Sequence, residues 1–78
     1  MFGEMLKRLR VDKLELSLRK AAEKVGFSHT FLFYIERNDK PLSLENLVRI
    51  CNAYGYRVEI SAIRLIPGSS EEVVSWIV

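Results

Sequence analysis

His29, Thr30, Phe33, Tyr34 and Arg37 hold most of the recognition chemistry of this 78-residue chain within one short stretch. An imidazole, an aliphatic hydroxyl, a phenol and a guanidinium form hydrogen bonds, and Phe33 adds an apolar ring. No motif sets a serine or cysteine nucleophile against His29. The carboxylates alternate with basic residues, as on solvated helix faces, and no glycine-rich phosphate loop is present. The available chemistry is therefore contact and hydrogen bonding rather than bond making, and no catalytic residue is assigned. One histidine and one cysteine cannot build a protein-only zinc site, and a single cysteine excludes a disulfide framework within the chain. No metal or cofactor is expected.

These side chains share a surface only if a helix carries them. Leu32 and Ile35 define its buried side. At about 100° per residue, Thr30, Phe33, Tyr34 and Arg37 then point away, with His29 and Phe31 on the flanks. Residues 16–36 read as two short helices, Leu18 to Lys24 and Ser28 to Arg37. Gly26 stands between them, where the turn asks for a positive φ. Ser28 is a good N-cap for the second helix. Ala21, Val25, Phe27, Leu32 and Ile35 lie where two crossed helices lock together, and Ala22 is small where they approach. The pattern is a helix-turn-helix, whose second helix fits the DNA major groove.

The ordered set Ser17, Ala22, Gly26, Ser28, Leu32, Ile35, Glu36, Pro41, Ser43, Leu44, Glu45 and Leu47 resembles the lambda-repressor/Cro-type helix-turn-helix family, also called the XRE family. The match spans about residues 2–56. The resemblance implies base contacts from positions matching His29, Thr30, Phe31, Phe33 and Tyr34, of which Phe31, as an aromatic, is expected to lean on the helix pair instead. It also implies that Arg10 pairs with Glu36. Two departures stand out. The link VDKLELS is longer than the family's and lacks its glycine, and Leu18 replaces a common glutamine. Phe33 stands where the family has a polar or small residue. Contact with thymine methyls is one reading of it, and a protein partner or a ring leaning on a neighbouring helix is the other. Expected phosphate contacts are Ser17, Arg19, Lys20, Ser28, Arg37 and Lys40, helped by the backbone N–H groups at the start of the first motif helix.

The remaining chain completes a small mainly α fold, a lambda-repressor-like bundle of four to five helices followed by a C-terminal strand. Residues 2–13 read as the first helix from Phe2, Met5, Leu6 and Leu9. Asn38–Pro41 is a turn, with Asn38 suited to the left-handed conformation. Ser43 caps a fourth helix with Leu47, Val48, Ile50, Cys51 and Tyr54 on its buried stripe, and Gly55 ends it. Cys51 reads as a core residue. From Arg57 the period changes to two, predicting a strand in which Val58, Ile60 and Ala62 alternate with polar residues. Pro67–Gly68 ends the strand, Ser69 and Glu72 resemble a capping box, and residues 71–77 read as a short helix or extended tail. A lone strand leaves its backbone unpaired. Its expected partner is the same strand of a second copy, burying Val58, Ile60, Ile63, Leu65, Val74 and Trp76, along with Val73 and Ile77, in a homodimer. The alternative is a tail folded back on its own helices.

The expected division is residues 1–56 for DNA binding and 57–78 for dimerisation. Net charge is +2. Residues 1–40 hold nine Lys/Arg against six Asp/Glu, and residues 41–78 hold three against four. The positive excess therefore lies with the helix-turn-helix. No signal peptide is evident and no apolar run reaches a membrane-spanning length, so the cytoplasm is the expected compartment. The expected function is a sequence-specific regulator binding double-stranded DNA, specifically a dimeric repressor of an inverted-repeat operator. An antitoxin that also masks a toxin partner is an alternative, as is a protein–protein adaptor that does not bind DNA.

Overall fold

The computed structural model describes residues 2–65 and 72–78. Its elements are α1 (Phe2–Arg8), which continues as a π-helical turn over Leu9–Lys13, α2 (Leu18–Val25), α3 (His29–Glu36), α4 (Leu44–Ala53), β1 (Glu59–Ile63) and β2 (Val73–Ile77).

Local chemistry sets the helix boundaries. Ser17, Ser28 and Ser43 are the N-caps of α2, α3 and α4. Their hydroxyls accept from the backbone N–H of Lys20 (3.2 Å), Phe31 (3.1 Å) and Asn46 (3.1 Å). Each bond satisfies an N–H that has no partner inside its helix. Gly26 ends α2 at φ 86°, and its N–H donates to the Ala22 carbonyl over 2.8 Å. Asn38 follows α3 at φ 61°, the left-handed conformation expected of it.

The long link between α1 and α2 has a specific solution. A single extra residue in an α-helix is absorbed by one wider turn. Here the Leu14 N–H donates to the Leu9 carbonyl over 3.0 Å, five residues back. Glu15 then takes φ 52°, a position where glycine would be free of the Cβ clash. The wider turn keeps Arg10 facing α3 despite the longer link.

α2 packs against α3 and α4, and α1 against α3. The core between them is Leu6, Ala21, Ala22, Val25, Leu32, Ile35, Ile50, Cys51 and Tyr54. Phe27, Phe31 and Leu47 pack against it from the rim. Phe2 and Met5 are 50% and 43% exposed, so on α1 Leu6 is the side chain that reaches the centre.

Tyr54 carries one anomaly. Its hydroxyl is buried without a hydrogen-bond partner among the described residues. Burial, reinforced by the Glu36 charge, pushes its pKa up to about 12. Folding thus favours the neutral phenol. The corresponding stability is fully present below the ordinary tyrosine value of ~10 and is lost as pH rises through the folded value. Tyr54→Phe is expected to equal or slightly exceed the wild type at neutral pH, because no hydrogen bond is lost. It should also unfold less between pH 10 and about 12, which thermal melts across that range will show.

The expectation of a lone strand, paired only through a second copy, is corrected. β1 pairs antiparallel with β2 of the same chain, with Glu59 opposite Ile77, Ile60 opposite Trp76, Ser61 opposite Ser75, Ala62 opposite Val74 and Ile63 opposite Val73. Of the two readings of residues 71–77, short helix or extended tail, the extended one holds over residues 73–77, which form a strand, as β-branched and aromatic residues favour. The Arg64 N–H donates to the Glu72 carbonyl (2.9 Å) and the Val78 N–H to the Val58 carbonyl (2.8 Å), extending the pairing at both ends. The expected turn at Pro67–Gly68 and the Ser69 end of the capping box lie outside the described residues.

Candidate nucleic-acid interface

α3 is fixed from several sides. At its start, Ser28 caps it and Phe31 packs edge-on to Phe27, with ring centroids 5.0 Å apart. Along its length, Leu32 and Ile35 are buried at 0% and 1% exposure. At its end, the Glu36 carboxylate accepts from Arg10 Nε (2.7 Å) and Nη2 (2.9 Å), while Arg10 Nη1 donates to the Leu16 carbonyl (2.9 Å). One guanidinium thus joins the end of α3 to the residue before the α2 cap. The hydrogen bond to Glu36 raises the Arg10 pKa, against the opposing effect of burial. The pairing implied by the family resemblance is present, in bidentate form.

Two contacts that sequence reasoning missed also hold this frame. Arg49 on α4 donates through Nε to the Val25 carbonyl (3.0 Å) and through Nη2 to the Gly26 carbonyl (3.3 Å), and its guanidinium lies 4.8 Å from the Phe27 ring centre. A cation at the C-terminus of α2 is favoured by the helix dipole. The available signal was a lone basic residue on an otherwise apolar and neutral helix segment. Gly3 is the second. It is buried where α1 crosses the end of α3, and its N–H donates to Asn38 Oδ1 over 3.1 Å. Nothing in the local sequence marks it.

With the frame fixed, the polar face of α3 is free. His29, Thr30, Phe33, Tyr34 and Arg37 are all exposed, as the helical spacing predicts. Phe33 is 39% exposed and does not insert into a neighbouring helix. It lies edge-on to Tyr34, with centroids 5.6 Å apart, and beneath the Arg37 guanidinium at 5.2 Å. Arg37 also pairs with Asp39 at 3.1 Å.

The phosphate candidates fall into two groups. Ser17, Arg19 and Lys20 lie at the start of α2, and Arg37 and Lys40 lie at and after the end of α3; all are exposed. Ser17 and Ser28 use a lone pair in capping, and each hydroxyl can still donate its proton outward. Of the residues expected at a dimer contact, Val58 packs against the core, while Ile60, Ile63, Leu65, Val74 and Trp76 are exposed. Among the described residues, no group of His, Cys, Asp and Glu converges as a metal site.

Two comparisons with known proteins bear on this arrangement. A helix-turn-helix family model matches residues 6–60, from within α1 through the first residues of β1. The chain belongs to the XRE-type helix-turn-helix family. The control protein C.BamHI of Bacillus amyloliquefaciens is 31% identical over 55 residues, covering 70% of this chain and 68% of that protein. No solved structure matches at comparable stringency. As a member of the XRE-type helix-turn-helix family, the chain is a DNA-binding transcriptional regulator. Helix α2 is the first motif helix and α3 the recognition helix. Among the described residues, no helix is long and apolar enough to cross a membrane.

Proposed function

We propose that this chain is a dimeric repressor that occupies an inverted-repeat operator in the cytoplasm and blocks polymerase at the promoter. Residues 1–56 contact DNA and residues 57–78 pair the two copies. The observation that carries the reading is the exposed row His29, Thr30, Phe33 and Tyr34 on a helix held by Ser28, Leu32, Ile35 and the Arg10–Glu36 pair. The N-terminal part of such a helix meets base edges. His29 and Thr30 sit there and read hydrogen-bonding groups, and Phe33 meets thymine methyls. Ser17, Arg19, Lys20, Ser28, Arg37 and Lys40 hold phosphates, which sets the register on the duplex.

Binding to duplex DNA in a salt series is the test. Affinity should fall steeply with salt as phosphate contacts release counterions. Arg19→Ala and Lys40→Ala should weaken all sequences about equally, each making the salt slope shallower by about one. Phe33→Ser should leave the fold intact and change sequence preference by roughly 1–3 kcal/mol at one base pair. A Phe33→Ser protein with unchanged preference would remove the thymine contact from the account. Binding that is flat across salt would remove DNA recognition itself.

A further inference from the structure

The register of the hairpin sorts its side chains into two unlike faces. Directly opposed residues share a face. Ile60 with Trp76 and Ala62 with Val74 therefore lie together, and Val58 and Val78 continue the same face. From Val58 to Ala62 and from Val74 to Val78 every side chain on it is apolar, and the Arg64–Glu72 ion pair bounds it at the far end. The other face is mixed, with a Ser61–Ser75 hydroxyl pair 3.0 Å apart at its centre, Glu59 beside Ile77 at one end and Ile63 beside Val73 at the other.

The apolar face runs into a groove of about 340 Å³, lined chiefly by Phe2, Leu42, Leu44, Leu47, Val58 and Ile60. Trp76 is 52% exposed, Phe2 50%, Leu44 49% and Val74 46%. An aromatic side chain carries roughly 150–250 Å², so face and groove rim together leave roughly 500 Å² of apolar surface. That is at the upper end of what a monomer leaves in water. Two such patches bury roughly 1,000 Å², the size at which specific interfaces begin.

The patch is also complementary to itself. A two-fold contact needs projection and recess on one surface, because each copy presents both. Ile60 lines the groove, and Trp76 stands directly across the strand pair from it. The flanking charges are already matched within the chain, Arg57 with Glu59 at 2.8 Å and Arg64 with Glu72 at 3.1 Å. An identical surface therefore approaches without unpaired like charges.

We infer that two copies of this chain pair through the apolar hairpin face, each seating its Trp76 in the groove of the other. The inference rests on the two-copy reading given above and selects one face for it. Ile63 lies outside the contact, on the face with Glu59 and Ser61.

Trp76 is the single tryptophan, so its fluorescence reports this contact directly. The intact chain is measured by sedimentation equilibrium and by fluorescence over the same concentrations, nanomolar to tens of micromolar. The mass should double while the emission shifts to the blue with the same midpoint, and acrylamide quenching should fall several-fold. Leu44→Glu places a carboxylate on the groove rim in the first turn of α4, where the helix dipole favours it. That variant should keep its circular dichroism and half-site DNA binding but lose self-association by roughly tenfold or more. A dimer whose emission does not move would overturn the inference and leave DNA binding intact. Blue emission already present in the monomer would place Trp76 in its own groove and also overturn it. A chain that stays monomeric throughout would overturn the inference together with the two-copy reading, with half-site binding still reporting separately on DNA recognition.

Discussion

Arg10→Met is expected to lower stability by about 3–5 kcal/mol, because it leaves the Glu36 carboxylate buried without its partner. Glu36 is 6% exposed and receives two short hydrogen bonds from the guanidinium. Tyr54 has a buried hydroxyl without a partner among the described residues, but one neutral donor does not substitute for a bidentate cation. A small domain has little more than this margin in total, so much of the variant should be unfolded at ordinary temperature. Urea titration followed by circular dichroism measures the loss. The double variant Arg10→Met/Glu36→Leu should recover much of it, since replacing a buried ion pair by apolar groups is often close to neutral. A single variant as stable as the wild type would mean that the pair is not closed in solution.

The second large effect is expected at Gly3. A Cβ there would stand 2.5 Å from the Ile35 carbonyl oxygen, 2.6 Å from that of Glu36 and 2.7 Å from Asn38 Oδ1. Two of these atoms belong to the α3 backbone and cannot rotate away. Gly3→Ala must therefore move α1 off the end of the recognition helix, at a cost of about 1–3 kcal/mol, despite the better helix propensity of alanine. The displacement also stretches the bond from the Gly3 N–H to Asn38. DNA affinity should fall with stability, because Arg37 and Lys40 flank this crossing in sequence. Thermal melts of Gly3→Ala beside Asn38→Gly, which loses the hydrogen bond but keeps the left-handed φ of 61° without strain and adds no clash, separate the two contributions. Equal stability of Gly3→Ala and wild type would contradict the close approach.

How far the sequence was legible follows from the range of each interaction. The motif helices were readable because serine caps, Gly26 and the Leu32–Ile35 spacing act within a few residues of one another. The outward row on α3 followed from the same spacing. The Arg10–Glu36 pair came only from family resemblance, since nothing local to Arg10 points 26 residues ahead. The π-helical turn that preserves this pair, with Glu15 in a left-handed conformation, was not foreseen. The extended reading of Val73–Ile77 stays open beside a helical one because the segment lacks clean alternation, and its pairing with β1 is not legible because the partner lies across a connection rather than beside it in sequence. Gly3 and Arg49 act through approaches between helices, which no local pattern encodes.

The most direct test of the whole account is selection of binding sites by the intact chain from random duplex DNA at moderate salt. The account predicts one enriched inverted repeat, with half-site centres about one helical turn, ~34 Å, apart. The consensus should change at single positions when His29 or Thr30 is replaced, and thymine should occur where Phe33 reaches. Enrichment of no sequence, or of one that is indifferent to changes on α3, would contradict it.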